Sequence, residues 1–136
     1  MLSAVALFAA FSALLLSAVY SVPLDSRAGQ TFTGDGTVYQ PALGACGISN
    51  TADQLIVAVG HGLFDSYPGA TANPNLNPIC GKKLKASYNG KSVTVTVEDR
   101  CAGCAGADDL DFAQAAWTEL GQTESTRIHG VKWEWV

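Results

Sequence analysis

Charge is scarce in this chain. Only 15% of the 136 residues are Asp, Glu, Lys or Arg, whereas soluble domains average about a quarter, and the first 24 carry no charged side chain at all. Basic residues are the rarer sign, with 8 Lys+Arg against 12 Asp+Glu and a net charge of -4. No basic stripe is present, which argues against a nucleic-acid partner, because a phosphate-tracking surface depends on clustered Lys and Arg. The one locally basic run, Lys82-Lys83-Leu84-Lys85, reads as a solvated strand edge that discourages aggregation. There is no Gly-rich dinucleotide motif, so no flavin or nicotinamide cofactor is expected. No metal-ligand constellation is present, so no metal is expected either. After Gly29 there is no internal repeat, charge block or long linker, and residues 30–136 read as one compact domain.

The charge-free start has its own reading. Leu2 to Val19 is apolar, broken only by small Ser residues, and is followed by Pro23, Asp25 and Arg27. Its terminal position and the small residues near Ala18 and Ser21 favour a secretory signal peptide over residues 1–21 rather than a retained membrane anchor. Residues 22–29 then form a flexible segment. Cleavage after Ala18 or Ser21 leaves a mature chain of about 115 residues, exported and free of the membrane.

All four cysteines lie in the mature part, as expected of a small oxidised domain that supplements its core with disulfides. Three pairings are possible. Cys46–Cys80 with Cys101–Cys104 is favoured, because only two residues separate the latter pair. The Cys101-Ala-Gly-Cys104 spacing also admits a redox or zinc reading, but a redox site of that kind needs a βαβ context and zinc needs a second ligand pair.

Lys91 to Val97 alternates Val93, Val95 and Val97 with Thr94 and Thr96, the pattern of a half-buried strand. Asn89-Gly90 before it is a hairpin turn from a strand over Lys83 to Tyr88. Val131, Trp133 and Trp135 alternate likewise near the chain end, and Gln30 to Tyr39 and Leu55 to Val59 are further strand candidates. Phe112, Ala113, Ala116, Trp117 and Leu120 share one helical face, with Asp111 placed as N-cap, Gln114 completing a capping box and Gly121 as the stop. Many short strands with one helix predict a small β-barrel carrying a helix on its side.

Gly36-Thr37-Val38-Tyr39, Leu43-Gly44-Ala45-Cys46-Gly47, Asn77-Pro78-Ile79-Cys80-Gly81, Val95-Thr96-Val97-Glu98-Asp99-Arg100-Cys101 and Asp109-Leu110-Asp111-Phe112 occur in the order and rough spacing of a double-psi β-barrel. The chain resembles the fungal single-domain expansin-like proteins, the loosenins and the relatives labelled riboflavin-aldehyde-forming enzyme. It is more distantly similar to barwin, plant expansin N-terminal domains, family-45 endoglucanases and the rare lipoprotein A family. The resemblance covers residues 36–136. It implies an all-β, six-stranded, disulfide-stabilised barrel with one main helix and short helical turns, and a polysaccharide groove. By the same resemblance Thr37 and Tyr39 match the groove's Thr-x-Tyr motif, and Asp99 matches an aspartate at a strand end. Asp109 matches the aspartate of a His-Phe-Asp-Leu motif, whose His and Phe are missing here.

Glu98, Asp99, Asp108, Asp109 and Asp111 crowd a short stretch, where mutual repulsion raises carboxyl pKa values, and Asp109 is the candidate acid. Glycoside hydrolysis normally needs a second carboxylate. In the related endoglucanases a base follows the groove tyrosine, whereas Gln40 and Pro41 follow Tyr39 here. Non-hydrolytic binding and loosening of cell-wall polysaccharide, cellulose or chitin, is therefore the expected activity, by a secreted monomer. With no second carbohydrate-binding domain expected after the barrel, affinity should be weak. Tyr67, in a Pro-Gly loop, is a candidate sugar platform. Asp111 is expected to serve as a helix cap, Asp99 is either a groove residue or a local partner of Arg100, and His61 and His129 are expected to be satisfied structural histidines. Two rival classes remain: a lytic or oxidative enzyme, and a protease inhibitor or host-directed effector acting through exposed loops.

Overall fold

The computed structural model describes residues 29–136. The expected leader, and residues 22–28 of the expected flexible segment, lie outside them. Six strands form in chain order: β1 (Phe32–Val38), β2 (Ile56–Gly60), β3 (Lys83–Tyr88), β4 (Lys91–Cys101), β5 (Leu110–Phe112) and β6 (Ile128–Trp135). They close into a barrel in the order β1-β5-β2-β4-β3-β6. Two pairs are parallel, β1 with β5 and β2 with β4, and the remaining neighbours are antiparallel. This is the double-psi β-barrel.

The strands form where alternation demands it. Leu84 and Ala86 on β3, Val93, Val95 and Val97 on β4, and Val131 and Trp133 on β6 all point into the barrel, while Lys83, Lys85, Thr94 and Lys132 between them face out. Asn89 and Gly90 both have positive φ, 47° and 78°, the geometry a two-residue hairpin needs to match strand twist. The expected strand over Lys91 to Val97 continues to Cys101, and that extension carries Glu98, Asp99 and Arg100. Its first half pairs with β3 and its second half with β2, so one long strand joins the two sides of the barrel.

Two short helices flank the barrel, α1 (His61–Ser66) and α2 (Gln114–Glu119), with a 3-10 turn at Pro74–Leu76. The helical reading of Phe112 to Leu120 is corrected at its start. Phe112 lies in β5, Ala113 has the extended backbone of an N-cap residue, and no side chain caps the helix. Barrel closure overrides the capping-box pattern, because Leu110 and Phe112 bury completely between β1 and β2. Asp111 is consequently not a cap. Trp117 is a core residue as expected, and its Nε1 donates to the Glu124 carbonyl at 2.7 Å.

Both favoured disulfides are present, Cys46–Cys80 and Cys101–Cys104. The first pins the 42–50 loop to the segment after the 3-10 turn. Buried Asn77 braces that segment, donating to the Phe64 carbonyl and accepting from the Ile79 amide. Since the barrel is closed, β3 is flanked on both sides by β4 and β6, so Lys83 and Lys85 do not guard a strand edge.

Candidate functional site

A row of residues crosses four adjacent strands. Thr37 on β1 pairs with Asp111 on β5, Asp111 with Ala58 on β2, and Ala58 with Asp99 on β4. Neighbouring strands lie about 4.8 Å apart, so the two carboxylates flank a single small residue. A β-bulge creates this alignment. Val57 pairs with Val97 but Ala58 pairs with Asp99, so Glu98 is the extra residue on β4 and Asp99 is turned to face Ala58.

The methyl side chain of Ala58 leaves a depression above it. This open groove, about 360 Å³, is lined by Thr37, Tyr39, Asp99, Asp111, Arg127 and the Cys101–Cys104 disulfide, among others. Tyr39 leans over Ala58 and the disulfide, and its phenol donates to Asp99 Oδ2 at 3.1 Å. Burial and the neighbouring Asp99 charge push the phenol far above its usual range, so Tyr39 is a neutral donor at any working pH.

The two carboxylates sit in different environments. Asp99 Oδ1 accepts from the Ala45 and Arg100 amides, each at 2.8 Å, and Oδ2 accepts from Tyr39. It is a fixed anchor that ties the 43–48 loop to the groove. Asp111 accepts one hydrogen bond, from Thr37 Oγ1 at 2.7 Å. Burial raises its pKa, while the Thr37 bond and the Arg127 charge act against that rise. Burial thus favours the neutral form of Asp111, and this carboxyl has acceptor capacity left for a ligand.

Asp109, the expected acid, is placed elsewhere. It is 7% exposed, its Oδ1 accepts from the Asp35 amide and its Oδ2 from the Gly106 amide, both at 2.8 Å. Its carboxylate fastens the 102–109 loop to β1, and it does not line the groove. Tyr67 is also outside the groove, half-buried edge-on against Trp135 with Lys82 Nζ 5.5 Å from its ring centre. The structure thus brings together Thr37, Tyr39 and Asp99 of the expected residues and adds Asp111 and Arg127.

The remaining expectations are settled locally. The Arg100 side chain pairs through Nε and Nη2 with Asp65, at 2.8 and 2.7 Å, while its backbone amide makes the local hydrogen bond to Asp99. His129 has its partner, with Nδ1 2.7 Å from Asp35 Oδ1, on a side chain that is 74% exposed. His61 is not satisfied, since its buried Nδ1 has no hydrogen-bond partner among the described residues. Glu98 Oε2 shares that condition, and burial raises the Glu98 pKa. Among the described residues no group of three or more His, Cys, Asp or Glu is placed to hold a metal ion. No helix among them is long and apolar enough to cross a membrane.

A rim borders the groove on the Asp99 side. Gly44 packs against the Glu98 carbonyl and the Asp99 side chain so closely that a Cβ would lie 2.7 Å from that carbonyl oxygen. The loop it belongs to exposes Leu43 (73%) and Ile48 (49%), and the 3-10 turn that precedes Cys80 exposes Leu76 (68%).

Fold and groove together define a disulfide-braced double-psi β-barrel with a polar cleft across β1, β5, β2 and β4. The chain belongs to the family of the papain inhibitor of Streptomyces mobaraensis, to which it is 33% identical over 137 residues, spanning 98% of this chain and 91% of that protein. The solved structure of a Streptomyces papain inhibitor superposes with a TM-score of 0.70 at 32% identity, covering 85% of this chain and 99% of the other. The allergen Asp f 7 homolog of Arthroderma benhamiae is 34% identical over 123 residues, covering 80% of this chain; the chain spans only 40% of that relative's length. A mutant Clavibacter michiganensis expansin solved in complex with cellohexaose shares the fold, with a TM-score of 0.61 at 24% identity over 79% of this chain and 50% of that one. No family model matches the chain.

Proposed function

We propose that this protein is an extracellular, expansin-like, loosenin-type barrel that binds a cell-wall glucan or chitin chain in the groove over Ala58 and loosens it without hydrolysis. The observation that carries the reading is the unequal state of the two groove carboxylates. Asp111 retains acceptor capacity for sugar hydroxyls, beside Thr37, Tyr39 and Arg127. Asp99 has both oxygens occupied by donors from its own chain, which deprives an inverting reaction of the free base it requires. Hydrogen bonds that compete with those between wall chains separate the chains without breaking a bond. Cellohexaose held by a protein of the same fold is consistent with this use of the groove. Two disulfides fit an oxidising, extracellular setting and the expected leader over residues 1–21.

The test is a pull-down of the oxidised chain on cellulose, chitin and isolated fungal wall, with soluble sugar assayed in the same tubes. Binding reduced in Tyr39→Ala and Asp111→Asn, with no sugar release, is expected. Release that Asp111→Asn abolishes would make the protein a lytic enzyme instead, and absence of binding to all three would overturn the reading.

A second reading rests on a specific observation. The whole-length relationship to a papain inhibitor coincides with a braced rim that exposes Leu43, Ile48 and Leu76. A rigid loop with apolar side chains fits the cleft of a papain-like protease at low entropic cost. Inhibition of papain, lost in Leu43→Asp with Ile48→Asp and kept in Tyr39→Ala, would establish it.

A further inference from the structure

Every lysine of the chain, Lys82, Lys83, Lys85, Lys91 and Lys132, lies on or directly beside β3, β6 and the start of β4. In a protein of net charge -4, this concentrates the ammonium groups on the side of the barrel away from the groove carboxylates. The outward face there is regular. Lys83 pairs with Thr96, Lys85 with Thr94, and Ser87 with Ser92 across β3 and β4. Ser87 pairs with Lys132 and Lys85 with Glu134 across β3 and β6, and Lys132 pairs with Thr33 on β1.

The result is a sheet face of ammonium and hydroxyl groups, with Glu134 as the carboxylate that edges its depression. Lys83, Lys85 and Lys132 are exposed, and none of them forms an ion pair among the described residues. A shallow depression of about 180 Å³ lies between Lys85 and Lys132, edged by Thr31, Ser87 and Glu134. The two described arginines are engaged elsewhere, Arg100 with Asp65 and Arg127 with Asp35.

We infer that this lysine face is a second binding surface, separate from the groove and independent of its assignment, and that its partner is a polymer of sugar carboxylates, a polyuronate. Charge complementarity selects an anion. Lys83 and Lys85 repeat about 6.8 Å apart along the strand, a row of single point charges suited to carboxylates spaced along a chain. The intervening Ser and Thr hydroxyls suit sugar hydroxyls. The depression presents no arginine fork for phosphates, and the one aromatic ring that lines it, Trp133, is buried and closed to stacking with bases; a membrane would need an apolar wedge among the charges.

The experiment measures binding of the oxidised chain to polygalacturonate, to its fully methyl-esterified form, to single-stranded DNA and to anionic phospholipid vesicles, at low and moderate salt. Polygalacturonate is expected to bind most tightly, to lose affinity at least tenfold on methyl esterification, and to weaken as salt screens the charges. Lys83→Gln/Lys85→Gln/Lys132→Gln is expected to lose affinity at least tenfold, Glu134→Gln to gain it, and Tyr39→Ala to match the unmodified chain. The gain in Glu134→Gln keeps the test open should the triple variant fold poorly. Equal binding of the acid and ester polymers, indifference to both lysine-face variants, or tighter binding of DNA or vesicles would each overturn the proposal.

Discussion

At the scale of single residues, the groove sets a carboxyl with spare acceptor capacity, Asp111, apart from carboxylates bonded within the fold, Asp99 and Asp109. Asp111 has a pKa raised by burial, so its folded state holds a proton more tightly than the unfolded chain does. Stability attached to this group is therefore fully present below the ordinary carboxylate range and is lost as pH rises through the raised value. Asp111→Asn keeps an oxygen for Thr37 and removes the ionisation. The variant is expected to melt higher than the unmodified chain at pH 7 and to match it near pH 3, as calorimetry at the two pH values will show; a lower melting point at pH 7 would contradict the environment assigned to Asp111. Asp109 carries the fold instead, accepting hydrogen bonds from two backbone amides. Asp109→Asn sets an amide donor against one of them, at a cost of roughly 1–3 kcal/mol. Denaturant melts should register that loss while glycan binding by the folded fraction stays unchanged.

At the scale of elements, the 42–50 and 102–109 loops are fastened by different means. Cys46–Cys80 spans a sequence separation of 34, and by loop entropy its removal is expected to cost about 3–4 kcal/mol. Cys101–Cys104 spans only 3, for which the same relation gives about 1–2 kcal/mol, yet it forms part of the groove wall. Replacing each pair with serine should therefore dissociate the two properties: the first loses more stability, and the second loses glycan binding beyond what its stability change explains. Melting curves and pull-downs on the same preparations measure both. Much of this level was legible in the sequence. The Val-Thr alternation gave β4, Asn89-Gly90 gave its turn, and Val131 and Trp133 gave the buried face of β6, because period-two patterning and turn chemistry are local. Asp111 was misplaced because Phe112 to Leu120 is a good helical face in isolation, and only barrel closure claims Phe112 for β5. The alignment of Asp99 with Ala58 depends on a bulge at Glu98, and the partnership of Asp111 with Thr37 spans 74 positions. Neither leaves a local signal, so the sequence marked Asp109 where the structure assembles Asp111.

At the scale of the whole molecule, the barrel separates its charges. The groove side carries Asp99, Asp111 and the bonded Asp35–Arg127–His129 group, while the lysines gather on β3, β4 and β6. Two faces so placed are expected to act independently: Tyr39→Ala combined with the lysine-face substitutions should show additive losses on a wall that contains both neutral and acidic polymers. Salt should weaken only the component that the lysines supply. Non-additivity in the pull-down would mean that one polymer strand contacts both faces.

The most direct test of the proposed glycan-binding role of the groove is an NMR titration of the isotope-labelled, oxidised chain with cellohexaose and chitohexaose, followed by catalytically inactivated papain in the same sample. The account predicts sugar-dependent shifts centred on the amides of Tyr39, Ala58, Asp99, Cys101–Cys104 and Asp111, with no product of cleavage. Silence at those positions with both sugars, and shifts confined to Leu43–Ile48 on adding papain, would contradict it.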